Sequence, residues 1–117
     1  MFDSHLKRLC ERIDGLTEVA IISYEGCVLE GRNKDGTAGA NASVASLTPL
    51  IQQMKSGFQL LGLGQVNSLV MEGPNQKRFF WPINEDYVLY VESDVDEREG
   101  KVVFELSLSA TELLGYF

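Results

Sequence analysis

The 117-residue sequence predicts an α+β fold, in which helices pack against a five-stranded, mostly antiparallel sheet. Three segments carry apolar residues at spacings of three and four, which is typical of amphipathic helices. Five other short segments are rich in apolar and β-branched residues, which is typical of strands. Short polar turns separate the last three of these segments, and connections of that length indicate antiparallel hairpins.

The chain begins with a predicted helix over residues 2–13, whose apolar residues step by four, three and four. Asp3 or Ser4 is available as its N-cap. Two strands are then predicted, over residues 18–23 and 27–31, joined by a corner that contains a glycine. The first of these strands is apolar on both faces, so we expect it to be covered on both sides of the sheet.

Residues 37–61 predict a long helix. Seven apolar residues lie on one of its faces: Ala40, Val44, Leu47, Ile51, Met54, Phe58 and Leu61. The first half of the opposite face is small, and a small face lets another backbone approach closely. Its residues are Ala38, Ala42 and Ala45. An interior proline costs a helix about 3 kcal/mol, so Pro49 predicts either a kink or two helices meeting near Thr48.

The remaining strands are predicted over residues 65–72, 77–83 and 87–93, after glycines that end the long helix. A terminal helix follows, because Asp96 and Glu99 have the spacing of a capping box. Its predicted apolar face consists of Val103, Leu106, Ala110, Leu113 and Phe117.

Size and charge limit the functions to be expected. Length and composition predict one domain over residues 1–117, with enough apolar residues for a core that needs no metal or disulfide. The net charge of −7 opposes nucleic-acid and anionic-membrane binding, which depend on clustered Lys and Arg. No run of about 20 apolar residues predicts membrane insertion. Without the apolar region of a signal peptide, we expect a cytoplasmic location.

No catalytic site, metal site or cofactor is expected from the motifs. The single histidine, His5, has charged neighbours, and the phosphate-binding pattern G-x-x-x-x-G-K-[ST] does not occur. Neighbouring carboxylates fall in predicted turns and helix starts, where we expect them to be solvated. Phe79 and Trp81 alternate with Phe80 along one strand, which predicts core packing under helices on both sides of the sheet. A ligand-stacking platform is the alternative for these aromatic residues.

The sequence resembles the Roadblock domain family, which includes the dynein light chain Roadblock and the polarity protein MglB. The resemblance covers essentially the whole chain. It is carried by the segment IDGLTEVAIISYEGCVLEG at residues 13–31, the small-residue helix from Ala38, the LLGLG stop at residues 60–64 and Gly100 at the last helix. Pro49 departs from the family pattern, because it interrupts a helix that is usually continuous.

The resemblance implies a sheet in the order 2-1-5-4-3, with the long helix on one face and the N- and C-terminal helices on the other. It also implies a homodimer, formed by pairing the long helices and the third strands of two copies. The exposed third strand agrees with this, because proteins seldom leave an edge strand unprotected. The expected dimer interface comprises Ala38, Ala42, Ala45, Gln65, Val66, Asn67, Ser68, Leu69, Val70 and Met71.

By resemblance, the expected function is a noncatalytic homodimeric module that regulates or scaffolds a Ras-like small GTPase, with GTPase activation of the MglB type included. The expected docking residues are Thr48, Gln52, Gln53, Lys55 and Gln59. Arg32 is expected to be a solvated loop residue rather than a catalytic arginine. The alternative function is a PAS-like small-molecule sensor, with Phe79, Trp81 and Tyr90 lining its pocket.

Overall fold

The computed structural model describes residues 2–35, 37, 44 and 46–117. Within these residues the elements follow one another in this order: α1 (Asp3–Arg12), β1 (Leu16–Ser23), β2 (Val28–Asn33), α2 (Thr48–Leu60), β3 (Leu69–Glu72), β4 (Gln76–Pro82), β5 (Tyr87–Asp94) and α3 (Glu99–Leu114). Among the described residues, no helix is long and apolar enough to cross a bilayer.

The five strands form one antiparallel sheet in the order β2-β1-β5-β4-β3. This confirms the predicted fold class and strand order. The central pair, β1 and β5, is buried along nearly its whole length, with Val19 opposite Val91 and Ala20 opposite Tyr90. Such strands need cover on both faces, which explains the continuous apolar run in the sequence.

Side chains alternate between two cores, one on each face of the sheet. The core under α1 and α3 contains Phe79, and Trp81 packs against its edge. The core under α2 contains Phe80 and Tyr90, whose ring centroids are 5.3 Å apart. The predicted alternation of the aromatic strand is therefore confirmed, as is the placement of the helices on the two faces.

Helix α2 begins at Thr48, which places Pro49 in its first turn. A proline is tolerated there because the first amide groups of a helix have no partner within it. The proline therefore lies near the start of this helix rather than in its interior. The predicted small face falls on Ala38, Ala42 and Ala45, which lie outside the described residues.

The structure corrects the predicted caps. Phe2 rather than Asp3 or Ser4 precedes α1, and the Asp3 carboxylate pairs with Arg32 of β2. Arg98 precedes α3, with no side-chain hydrogen bond at this cap. Glu97 instead accepts a hydrogen bond of 2.8 Å from the amide of Gly15. The carboxylates of Asp3 and Glu97 therefore bind other parts of the chain and do not cap the helices.

The apolar face of α3 also differs from the prediction. Val102 is completely buried, whereas Val103 is only half-buried and Phe117 remains 45% exposed. Because the helix ends at Leu114, Phe117 does not continue its periodicity. Its ring stacks on Phe2 and Tyr87 instead, with centroid distances of 5.4 and 4.7 Å.

Strand β3 is shorter than predicted. It begins at Leu69, and residues 65–68 form an irregular segment before it. Val66 is buried in the core under α2, so this segment packs on the helix side instead of pairing with β4. The amide of Ile83 donates to Tyr87 of β5, and amide directions alternate along a strand. The amide position of Pro82 therefore faces the β3 side, where proline has no hydrogen to donate.

Helices α1 and α3 are joined by a cluster of charged side chains. The Arg8 guanidinium donates to Glu112 Oε2 at 2.5 Å, and His5 Nδ1 lies 3.2 Å from the same oxygen. The hydrogen bond from Arg8 holds the pKa of the Glu112 carboxyl below its ordinary value. The carboxylate therefore stabilises the contact between the two helices in its charged form.

A matched pair of glycine substitutions tests the backbone conformation. Gly26 has φ +103°, and an added Cβ would lie 2.8 Å from Thr48 Oγ1, whereas nothing lies within 4 Å of a Cβ added at Gly57. Gly26→Ala should lower the unfolding free energy by about 1–3 kcal/mol. Gly57→Ala should raise it by about 0.5–1 kcal/mol, since alanine favours a helix. Urea denaturation measures both, and equal effects would contradict the described turn.

A second prediction concerns the pH dependence of the α1–α3 contact. A carboxyl whose pKa is lowered by folding stabilises the protein above its unfolded pKa, and this contribution is lost as pH falls through the folded pKa. Glu112→Gln should therefore destabilise the protein more at about pH 7 than at about pH 3. Urea denaturation at the two pH values measures this, and a destabilisation that stays the same at both would contradict the ion pair.

Candidate interaction surface

The surface formed by α2, the loop after it and β3, here called the α2–β3 surface, differs in charge from the rest of the chain. Lys55 is the only charged residue in the sequence from Thr37 to Met71, although 23% of all residues are charged. Depletion of charge distinguishes the centres of protein interfaces from ordinary surface. The segment therefore has the composition of an interface while the chain as a whole carries a charge of −7.

Helix α2 places four of the five predicted docking residues along one stripe, at helical spacings of four, three and four. They are Thr48, Gln52, Lys55 and Gln59. The fifth, Gln53, lies on the neighbouring stripe with Pro49 and Ser56, and all three are exposed. The opposite side of the helix is anchored by Ile51 and Met54 in the core.

The turn between β1 and β2 holds two of these side chains in place. Gln52 Nε2 donates to the carbonyl oxygen of Tyr24 at 3.1 Å. The Lys55 ammonium lies 4.8 Å from the centre of the Tyr24 ring, within the range of a cation–π contact. Burial raises the pKa of the Tyr24 hydroxyl, so the ring stays neutral beneath the lysine. Gln52 and Lys55 are thus held in position by Tyr24 while both remain exposed.

The last residue of α2 and the loop after it expose three leucines, and this segment is here called the leucine loop. Leu60, Leu61 and Leu63 are 87%, 74% and 61% exposed. Gly62 has φ +71° and reverses the chain, while the amide of Leu63 donates to the carbonyl of Phe58 as in a Schellman motif. The predicted helix stop is confirmed, but Leu61 lies beyond the helix and not on its buried face.

The outer edge of the sheet adjoins this loop. β3 is bonded to β4 and occupies one end of the strand order. Met71 is 39% exposed on it, and Leu69 and Val70 are half-buried. Of the predicted dimer-interface residues, Leu69, Val70 and Met71 therefore lie on the edge strand. Gln65, Asn67 and Ser68 lie in the segment before it, and Val66 is buried in the core of its own chain.

An open groove of about 550 Å³ separates the lower end of α2 from the β4–β5 turn. Its lining includes Lys55, Gln59, Val66, Pro82, Ile83 and Leu114. Its mixed polar and apolar walls hold no cluster of titratable groups. Among residues 2–35, 37, 44 and 46–117, no three His, Cys, Asp or Glu side chains gather as metal ligands.

The structure corrects the position expected for Arg32. It belongs to strand β2 and is only 8% exposed, because it pairs with Asp3 at the start of α1. The loop is predicted because Arg32 lies in a polar segment with Gly31 and Gly36 on its two sides. In the fold it joins the first helix to the sheet, so its guanidinium is not presented to a partner.

The structure also contradicts the pocket proposed for a small-molecule sensor. Phe79 and Trp81 lie on the α1 and α3 side of the sheet, whereas Tyr90 lies under α2. Three side chains on opposite faces of one sheet cannot line a single pocket. Tyr90 is 99% buried, and its hydroxyl donates to Glu92 at 3.3 Å.

The leucine loop is the main feature of this surface that the sequence prediction missed. The sequence predicts Leu61 on the buried face of the long helix and predicts only a helix stop for residues 60–64. The available signal was three leucines around two glycines, in a segment without acidic residues. A helix that ends before the glycines leaves the flanking leucines no core to enter.

Solved structures share this architecture over nearly the whole chain. Myxococcus xanthus MglB is 18% identical with a TM-score of 0.84, over 99% of this chain and 94% of that chain. A Roadblock/LC7 domain from Streptomyces avermitilis is 18% identical with a TM-score of 0.83, over 97% and 95%. Myxococcus xanthus MglC is 19% identical with a TM-score of 0.73, over 99% and 98%.

No family model matches the chain, and no curated protein matches it in sequence. The likeness is therefore one of fold, at low sequence identity. By its fold, the chain is a Roadblock-like domain.

Proposed function

We propose that this chain is a noncatalytic module that forms homodimers through the α2–β3 surface and, as a dimer, binds a Ras-like small GTPase that it regulates or scaffolds. The observation that carries the proposal is the charge-poor α2–β3 surface, where an edge strand adjoins three exposed leucines. The similarity in fold to MglB supports the choice of a GTPase as partner.

Self-association follows from charge and from the sheet edge. Two chains that each carry −7 repel one another wherever their acidic surfaces meet. The α2–β3 surface carries only two charged residues, Lys55 and Glu72, which are of opposite sign, so two copies can approach there without net repulsion. Pairing β3 with β3 would satisfy the free edge and continue the sheet from one copy into the other. Ala38, Ala42 and Ala45 are proposed to contribute the helix contact.

GTPase docking is assigned to the exposed part of α2. Gln52 and Lys55 are already fixed by Tyr24, so binding through them costs little side-chain entropy. Gln59 and Gln53 add amide groups that both donate and accept hydrogen bonds. Thr48, at the start of the helix, completes the docking residues. Such groups can position the switch loops of a GTPase without any catalytic side chain from this chain.

Two substitutions on opposite edges of the sheet test the dimer. Met71 on β3 and Leu29 on β2 are 39% and 43% exposed, so they form a matched pair. Met71→Lys should weaken the dimer at least about tenfold, because two copies would bring lysines together at the shared edge. Leu29→Lys should change the dissociation constant by less than about twofold. Sedimentation equilibrium measures both, and equal sensitivity of the two edges would overturn the assignment.

A charge reversal tests the docking residues. Lys55→Glu should weaken GTPase binding at least about tenfold, whereas Lys34→Glu makes the same change at an exposed residue away from α2 and should have little effect. The partner is first captured from host lysate with GTP or GDP analogues, and binding and single-turnover hydrolysis are then measured with the purified GTPase. Faster hydrolysis identifies an activator, and binding alone identifies a scaffold. Capture of no GTPase in either nucleotide state would contradict the proposal.

A further inference from the structure

Beyond its first residue, Glu99, the exposed face of α3 carries no charge. From Gly100 onward its exposed residues, here called the α3 stripe, are Gly100, Phe104, Ser107, Leu108, Thr111 and Leu114. Phe104 is 62% exposed and Leu108 is 41% exposed. The solvent face of a surface helix is ordinarily charged or polar, so this pattern is typical of a face that another protein surface covers.

The two hydroxyl groups of the α3 stripe are already satisfied within the helix. Ser107 Oγ donates to the carbonyl of Phe104 at 2.9 Å, and Thr111 Oγ1 donates to the carbonyl of Ser107 at 2.9 Å. Both donors are therefore used before any partner arrives. Covering the stripe would leave no hydroxyl donor buried without an acceptor, which removes the usual cost of burying polar groups.

We infer that the α3 stripe pairs with the α3 stripe of a second copy, as two antiparallel helices related by a twofold axis between Ser107 and Leu108. In that register, Phe104 of each helix lies opposite Thr111 of the other, and Leu108 lies opposite Ser107. Each large side chain faces a small one, so the same surface is complementary to itself.

The charges that flank the stripe agree with this register. Lys101 lies beside the first turn of the stripe, and Glu112, which pairs with Arg8 of its own chain, lies beside its far end. An antiparallel pair brings Lys101 of one helix to within about two residues, or roughly 3 Å along the axis, of Glu112 of the other. A parallel pair would instead leave Lys101 and Glu112 about eleven residues, or roughly 16 Å, apart along the axis. Because the stripe itself is neutral, two acidic chains meet here without repulsion.

The second copy fits the stripe better than a membrane does. Helices that lie on membranes carry Lys and Arg along the polar face beside their apolar stripe. Here Lys101 is the single basic residue of α3, and the chain carries −7. An anionic lipid surface would repel this arrangement, whereas an identical stripe matches it.

The α3 stripe lies on the face of the sheet opposite α2. Only Leu114, at its end, also lines the groove beside Lys55 and Gln59, so the two surfaces are separate over most of the stripe and the inference does not depend on the proposed function. If both surfaces are used, dimers join into tetramers or longer assemblies, since each chain then has two twofold interfaces.

Assembly at high concentration tests the inference. At about 200 μM the wild-type chain should form a species beyond the dimer, and Phe104→Lys should remove it while leaving the Met71-sensitive dimer unchanged. Met71→Lys should in turn retain a dimer that depends on Phe104. Sedimentation velocity resolves these species. The inference would be overturned if Met71→Lys removed all self-association and Phe104→Lys had no effect on it.

Cysteine cross-linking tests the register without disturbing Phe104. In a Cys27→Ser background, Ser107→Cys lies at the twofold axis, so mild oxidation should give a covalent dimer. Thr111→Cys is the matched control, because two copies of residue 111 are separated by about 10 Å along the axis and exceed disulfide reach. Equal cross-linking of the two variants, or none of either, would contradict the antiparallel pair and point to a different partner for the stripe.

Discussion

The structure depends on the burial of β1 and β5 on both faces of one sheet. Val19 and Val91 enter one core while Ala20 and Tyr90 enter the other, so helices must cover both sides. With two central strands fixed, the remaining strands can only extend the sheet outward. β2 and β3 become its edges, and β3 follows directly after the helix that covers one face. The position of the α2–β3 surface is therefore a consequence of how the centre of the sheet is buried.

Local patterns predicted the framework because they report on burial. The apolar run of β1, the alternation of Phe79 and Phe80, and the glycines after α2 all act within a few residues of the chain. The position of Pro49 also has a local explanation, because a proline is tolerated in the first turn of a helix but not in its interior. The strand order came from the resemblance to Roadblock domains, because hairpin lengths alone do not place β1 beside β5.

The features that the sequence did not predict depend on distant partners. Asp3 pairs with Arg32 and Glu97 bonds Gly15, so neither the N-cap of α1 nor the capping box of α3 forms as expected. Leu61 was expected in the core, and it is exposed because the chain reverses one residue later at Gly62. Tyr90 lies on the opposite face from Phe79, and only the register of β5 determines that. These outcomes follow from tertiary contacts that no local pattern contains.

The central claim is that a second copy covers the β3 edge. The most direct measurement is amide hydrogen exchange of Leu69–Glu72 as a function of protein concentration. Pairing with a second strand predicts that the outward-facing amides of β3 exchange more slowly as concentration rises, while those at the β2 edge do not change. Fast exchange of the outward-facing β3 amides at every concentration, at the rate of the free β2 edge, would contradict the account.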